Sequence, residues 1–249
     1  QPPKPEDVQG HLIHTAYAPA AEFECSNPLL NRIHQASIWT YRCLSLGGHV
    51  VDCPHRERLG YGAEGQAGME CGLWNFDQGA FFTKWLADWR DVQDPRSGHV
   101  PHTAPQYIGG GGPAWGGILV TLPWHVYLQY GDRRVLEDCL PQMEKYLQWL
   151  DSRTRDNLLQ PYGADPKEEL NWDFLADWVA PGRDRLSEVD VASRLDYQSP
   201  EVCRRFFNDC YRVYLLELTA RTAGVLGHRQ ASQRWQQQAR SVAAAAHRA

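Results

Sequence analysis

The sequence predicts an all-α fold in which helices follow one another in pairs, as in an α/α toroid or solenoid rather than a simple bundle. Apolar residues recur at helical spacing over most of the chain, and loops rich in Gly and Pro separate these runs. No stretch shows convincing strand alternation. With 249 residues, the chain has ample material to bury a core.

Caps and breakers predict the helices in order. Ser26 or Asn27 caps the first, Pro28 lies in its first turn, and Gly47-Gly48 ends it. A second amphipathic run covers about residues 66–91 and completes an antiparallel pair. Two further pairs are predicted over about 118–130 and 133–151, and over 200–226 and 228–247. Six helices are too few to close a six-pair barrel.

Residues 1–24 differ from the rest of the chain because they carry four prolines and no helical period. We expect an extended lead-in segment there, such as the end of an upstream β domain, followed by a helical domain over 25–249. The formal charge of −5, with no basic stripe, argues against a nucleic-acid partner. No run approaches the roughly twenty apolar residues of a membrane span, and the seven cysteines form no CxxC pair.

Aromatic side chains are abundant, with ten Trp and eleven Tyr beside two Met. Flat rings serve a hydrophobic core, but they also serve as platforms against the apolar faces of sugar rings. Composition alone favours neither interpretation.

The segment between the first two predicted helices concentrates ionisable groups. Thirteen residues, from Asp52 to Glu64, hold three carboxylates and two arginines. A solvated charge run is the usual interpretation, but Pro54, Gly60 and Gly62 indicate a shaped loop. Cleavage of a glycosidic bond needs one carboxylic acid to protonate the leaving oxygen and a second carboxylate, from elsewhere, to activate water or attack. Clustered acids meet the first requirement.

The charges around Glu57 oppose one another in their expected effect. A nearby Asp52 or Glu64 would favour its protonated form, whereas Arg56 and Arg58 would favour its carboxylate if they pointed at it. Both outcomes stay open at this point.

At these residues the chain resembles glycoside hydrolase family 78, the α-L-rhamnosidases, in the segment DCPHRERLGYGAEGQ. The resemblance continues in FECSNPLLNRIHQASIWT, VPHTAP, GGPAWGGILVTLPWHVYLQYGD, FLADWVAPG and YRVYLLELTARTAGVLG, and so covers nearly everything from Phe23 onward. It implies an (α/α)6 barrel, a six-hairpin toroid, of which about half is present in the catalytic domain over 25–249. It also implies an inverting release of terminal α-L-rhamnose without a cofactor.

The resemblance implies a role for each residue of the acidic segment. Glu57 matches the general acid, with a surface ion-pair member as the alternative. Asp52 and Glu64 match carboxylates that hydrogen-bond the rhamnose hydroxyls, and Arg56 matches an arginine that binds the same sugar. Tyr61 stands where the family commonly has Trp, and Glu64 where it commonly has Asp. The stacking surface and the reach of one carboxylate therefore differ.

Three tryptophans match the aromatic walls of the family's sugar pocket. Trp115 stands at one wall, although Gly117 replaces an acidic residue that often follows it there. Trp172 and Trp178 resemble a later wall around the methyl-bearing face of rhamnose. Core packing is the alternative for these rings, and it is a stronger alternative for Trp124 than for Trp115.

The histidines at positions 55, 102 and 125 match no zinc spacing, so we expect no metal and no cofactor. The resemblance places the general base on a late barrel loop, and the matching region would fall beyond Ala249. Three interpretations stay open: a hydrolase acting on terminal α-L-rhamnosides, a non-catalytic carbohydrate-binding fragment or pseudoenzyme lacking the base, and another α/α-barrel glycosidase acting on a different sugar. A carbohydrate is the expected partner in each, without nucleic acid or membrane.

Overall fold

The computed structural model of the chain describes residues 4–163, 172–176 and 201–248, and helices dominate these ranges. The helices are α1 (Pro28–Leu44), α2 (Gly62–Asn75), α3 (Gly79–Val92), the single turn α4 (Pro113–Gly116), α5 (Ile118–Tyr130), α6 (Arg134–Asp151), α7 (Glu201–Val225) and α8 (Arg229–Ala246). Two short antiparallel pairs join β1 (Ser45–Leu46) to β2 (His49–Val50) and β3 (Thr154–Arg155) to β4 (Leu158–Leu159). The prediction of an all-α fold is confirmed.

Helix α1 begins where the capping pattern places it. The side chain of Asn27 accepts a hydrogen bond of 2.9 Å from the backbone N–H of Leu29, so Asn27 rather than Ser26 is the N-cap. Gly47 and Gly48 have φ of 69° and 83° and form the turn between β1 and β2. The two glycines thus reverse the chain just after the helix.

The periodic run over residues 66–91 is two helices, and the prediction of one was wrong. Between α2 and α3, Phe76 adopts extended backbone and forms an isolated bridge with Pro19. The Asp77 N–H also donates to the Ala18 carbonyl at 2.9 Å. The lead-in segment therefore supplies backbone hydrogen bonds that a continuous helix would otherwise make internally.

The two strand pairs were not predicted, because two residues are too few to show alternation. The second pair turns at Asp156 and Asn157, which have φ of 55° and 67°. Asp and Asn tolerate this left-handed backbone better than most residues, which suits a tight hairpin. The later helices α5 to α8 lie where the apolar periodicity predicts them.

Helix α5 is central to the packing of the described residues. It contacts α2, α3, α6 and α7, while α7 and α8 form a hairpin against α6. Nearly all of its first two turns is buried, including Ile118, Leu119 and Leu122. Trp85 and Trp89 of α3 are fully buried against the same core. In the described ranges, no helix has the length and apolar character needed to cross a membrane.

Two loops meet at the N-terminal end of α2. The loop over 51–61 leads directly into the helix, and the loop over 93–112 crosses beside it. Tyr61 bridges to Thr103, and the Gly62 N–H donates to the His102 carbonyl at 2.9 Å. This junction places the acidic segment against the start of α4.

Candidate active site

The acidic segment is a closed loop held by Asp52. The backbone N–H of Asp52 donates to the Leu59 carbonyl, and the N–H of Leu59 donates to Asp52 Oδ1, each at 3.1 Å. These bonds fix the loop where the Pro and Gly residues predict a shaped turn. One oxygen of Asp52 therefore stabilises the loop, and Oδ2 remains for other contacts.

Glu57 lies at the exposed tip of this loop, with 35 % of its side chain accessible. Its Oε1 is 3.2 Å from Arg56 Nη2, so the two residues form an ion pair. Arg58 turns away, because its Nε donates to the Pro54 carbonyl at 2.9 Å and its own φ is 55°. Of the two neighbouring arginines, only Arg56 is paired with the carboxylate.

Tyr61 and Glu64 stand at the start of α2, beside this loop. Burial raises the pKa of the Tyr61 hydroxyl, and the charges of Asp52, Glu57 and Glu64 raise it further. Tyr61 is thus within electrostatic reach of all three carboxylates. Its ring also lies 5.1 Å from that of His102, centroid to centroid.

Glu64 carries a buried carboxylate in the first turn of α2. Burial raises its pKa, with a further contribution from Asp52, against a lowering by its own backbone N–H. Within the described ranges, its buried Oε2 has no hydrogen-bond partner. A buried acceptor of this kind needs a hydrogen-bond donor that the described residues do not supply.

A cleft between α1 and α2 opens beside Asp52 and Glu64, with a volume of about 560 Å³. A volume of this size is typical of small-molecule sites. Its remaining lining is mostly apolar and includes Ile33 and Tyr41. Two carboxylates in a mostly apolar cleft can orient a ligand that carries hydroxyl groups.

Trp115 lies behind Tyr61 rather than at an open surface. It is 5 % exposed and packs with Ala114 and Leu175 in a small cluster that Tyr61 also contacts. A Cβ built on Gly62 would come within 2.0 Å of the Trp115 carbonyl oxygen, so the two backbones touch. The ring is therefore next to the acidic segment, with only a small part of it accessible.

Of the two later tryptophans, the structure describes Trp172. Trp172 is 48 % exposed, and its carbonyl accepts a 2.6 Å bond from the Gly111 N–H in the loop before α4. Trp178 lies outside the described residues. The Trp172 backbone thus adjoins the loop that leads into α4 and Trp115.

Metal-binding capacity in the described residues centres on the acidic loop. Asp52, Cys53 and Glu57 each place one donor atom within 4.8 Å of the others. His55 is exposed, His125 lies 3.7 Å from Glu70, and His102 is buried. Burial lowers the pKa of His102 to about 4, so that ring is neutral at pH 7.

The sequence analysis did not single out Gln66, which the structure places one turn after Gly62 on α2. Its side chain hydrogen-bonds the backbone next to Trp115 and two other helices. Its presence in the motif GAEGQ was the signal available in the sequence.

Comparison with known proteins identifies the family to which this fold belongs. Residues 18–249 match the profile of the bacterial alpha-L-rhamnosidase 6 hairpin glycosidase domain. An alpha-L-rhamnosidase of Streptomyces avermitilis is 36 % identical over 162 residues, which is 64 % of this chain and 15 % of that protein. One from Formosa agariphila is 29 % identical over 201 residues, covering 76 % of this chain and 20 % of its own length.

Solved structures give the same result. The alpha-L-rhamnosidase from Dictyoglumus thermophilum superimposes with a TM-score of 0.79 and 27 % identity, over 99 % of this chain and 25 % of that one. The Streptomyces avermitilis enzyme complexed with L-rhamnose gives 0.78 and 27 %, over 95 % of this chain and 20 % of that one. The chain thus spans a quarter or less of the length of these relatives.

The helical fold and the family match place the chain in the class of six-hairpin glycosidase domains. Within that class, the chain belongs to the bacterial alpha-L-rhamnosidase family. The resemblance drawn from the segment DCPHRERLGYGAEGQ is confirmed at this level.

Proposed function

We propose that the protein is a glycoside hydrolase that releases terminal α-L-rhamnose from glycosides or polysaccharides. The observation that carries the proposal is the grouping of Asp52, Glu57 and Glu64 around Tyr61 in a member of this family. A relative with the same fold is complexed with L-rhamnose, which supports the choice of sugar.

In this mechanism Glu57 is the general acid, and its carboxylic proton passes to the leaving glycosidic oxygen as the bond to the anomeric carbon breaks. Its exposed position at the loop tip suits contact with a departing group of variable size. Water adds to the anomeric carbon from the opposite face and loses a proton to a separate base, which inverts the configuration.

The remaining residues of the site bind the sugar. Asp52 Oδ2 and the buried Oε2 of Glu64 accept hydrogen bonds from rhamnose hydroxyls, and Arg56 donates to the same sugar. Tyr61 offers a ring face to the apolar side of the sugar, with Trp115 behind it. Trp172 contributes to the wall around the methyl group.

A non-catalytic carbohydrate-binding role is the second candidate. The spacing of the described acids supports it. Asp52 and Glu57 place oxygens within 4.8 Å of each other, closer than the roughly 6.5–9.5 Å that leaves room for an attacking water. Asp52 therefore does not serve as the inverting base. A protein without another base would bind rhamnose and release none.

The test is Glu57→Gln in the full-length protein, assayed with aryl α-L-rhamnosides of good and poor leaving ability. With the poor leaving group, kcat should fall by about 10²–10⁴-fold, and with the good one by much less, because only proton donation is removed. Inhibition by free L-rhamnose should persist.

Glu70→Gln is the matched control, since Glu70 is an exposed glutamate elsewhere on α2. Near-normal turnover of the poor substrate by Glu57→Gln would exclude Glu57 as the acid. Rhamnose binding without hydrolysis by the wild-type protein would select the non-catalytic role. Release of another sugar, with no action on rhamnosides, would select a different glycosidase.

A further inference from the structure

Gln66 links α2 to three other helices next to the candidate active site. Its Nε2 donates to the Gly62 carbonyl at 3.2 Å and to the Ala114 carbonyl at 2.5 Å. Its Oε1 accepts from the Thr121 hydroxyl of α5 at 2.8 Å and from the Tyr211 hydroxyl of α7. A side-chain amide has two N–H donors and two acceptor positions, so all four are in use.

Three of these four bonds end beside a residue of the proposed sugar pocket. The Ala114 carbonyl belongs to the peptide that leads into Trp115, and the Gly62 carbonyl lies between Tyr61 and Glu64 in sequence. Tyr211 also packs against the cluster of Trp115 and Leu175. A movement at Gln66 would therefore change the distance between the Trp115 wall and the start of α2.

The alignment of α4 with the start of α2 depends on more than the packing of the two backbones. The single turn α4 is too short to hold its own position, since an isolated turn is unstable. At Gly62 and Trp115 the backbones of α2 and α4 touch. The Gln66 bond to Ala114 fixes the relative alignment of these two surfaces.

We propose that Gln66 is a positioning residue that sets the width of the rhamnose pocket by aligning Trp115 with Tyr61 and Glu64. It contacts neither sugar nor leaving group, and it acts through the backbone of α4 and the first turn of α2. The inference rests on the proposed function, because it assigns the aligned residues to sugar binding.

The test is Gln66→Met in the full-length protein, which keeps the side-chain length and removes all four bonds. The inhibition constant of free L-rhamnose should rise about tenfold, since loss of buried hydrogen bonds misaligns the pocket. The value of kcat/KM should fall by a similar factor with good and poor leaving groups alike. This uniform loss separates a sugar-positioning residue from an acid such as Glu57.

Gln78→Met is the control, because Gln78 is a fully buried glutamine that accepts a bond from the Tyr41 hydroxyl at 2.8 Å, just beyond the far end of α2. It should lower the melting temperature without changing rhamnose inhibition. Tyr211→Phe keeps the ring and removes one bond to Gln66, so it should raise the inhibition constant about two- to fivefold even if Gln66→Met fails to fold.

Three results decide the outcome. Weaker rhamnose inhibition in Gln66→Met and Tyr211→Phe, but not in Gln78→Met, supports the positioning role. A lower melting temperature with inhibition unchanged within about twofold in all three overturns it, because Gln66 is then purely structural. A wild-type protein that neither binds L-rhamnose nor releases it overturns the proposed function itself, and this inference with it.

Discussion

Gly65 of α2 is a position where the core leaves no room for an added methyl group. A Cβ built there would lie 2.5 Å from Trp85 Cη2 and 2.6 Å from Ile118 Cδ1. Both neighbours are fully buried, so neither side chain has solvent to move into. Gly65→Ala therefore forces the helix away from α3 and α5.

Gly68, one turn later on the same helix, supplies the comparison. A Cβ there would meet Tyr41 Cε2 at 3.4 Å, which is an ordinary contact. Both substitutions gain about 0.5–1 kcal/mol, because alanine loses less backbone entropy than glycine in a helix. Only Gly65→Ala carries an overpacking cost, of about 1–3 kcal/mol. The difference between the two variants isolates that cost.

Calorimetric melting of the two variants in the full-length protein measures this difference. Gly68→Ala should melt slightly above wild type and Gly65→Ala below it, because only Gly65→Ala carries the overpacking cost. If Gly65→Ala melts as high as Gly68→Ala, the close approach of α2 to Trp85 and Ile118 is incorrect.

Two further predictions concern buried charge. Burial raises the pKa of Glu64 above its ordinary value of 4.5, so the ionised carboxylate destabilises the folded state. The stability that the protonated group contributes is complete below pH 4.5 and is lost as pH rises through the folded pKa. Glu64→Gln should therefore raise the melting temperature at pH 7 but not below pH 4.5, and it should also weaken rhamnose inhibition. An equal rise in melting temperature at both pH values would contradict this prediction. Arg212 is fully buried and lies 2.6 Å from the half-exposed Asp151. Asp151→Asn should lower the free energy of unfolding by about 1–3 kcal/mol in denaturant titrations, which is less than the loss of a fully buried partner would cost. Asp132→Asn, in an exposed ion pair, is the control, and an equally small change for Asp151→Asn would refute the prediction.

Helix positions were predictable because their signal is local. The spacing of apolar residues and the caps at Asn27 and Gly131 lie within a few residues of the structure that they specify. The break at Phe76 was not predictable, because an apolar residue there continues the helical period. Its cause is a bridge to Pro19, more than fifty residues away.

The same distinction applies to the candidate site. The acidic loop is a continuous segment, and its closure by Asp52 involves residues seven positions apart. The hydrogen bonds of Gln66 reach residues 48, 55 and 145 positions away, so no local sequence pattern predicts them. The near-complete burial of Trp115 likewise depends on Leu175, sixty residues later.

The glycines of the acidic segment specify the site as much as its carboxylates do. A Cβ on Gly60 would lie 2.1 Å from the Ala104 carbonyl oxygen, and one on Gly62 would lie 2.0 Å from that of Trp115. Both obstacles are backbone atoms, which cannot rotate away as a side chain does. Because the loop and α2 approach these backbones so closely, Glu57 and Glu64 lie beside the aromatic cluster. A larger residue at either glycine would move the acids away from the aromatic cluster without changing any ionisable residue.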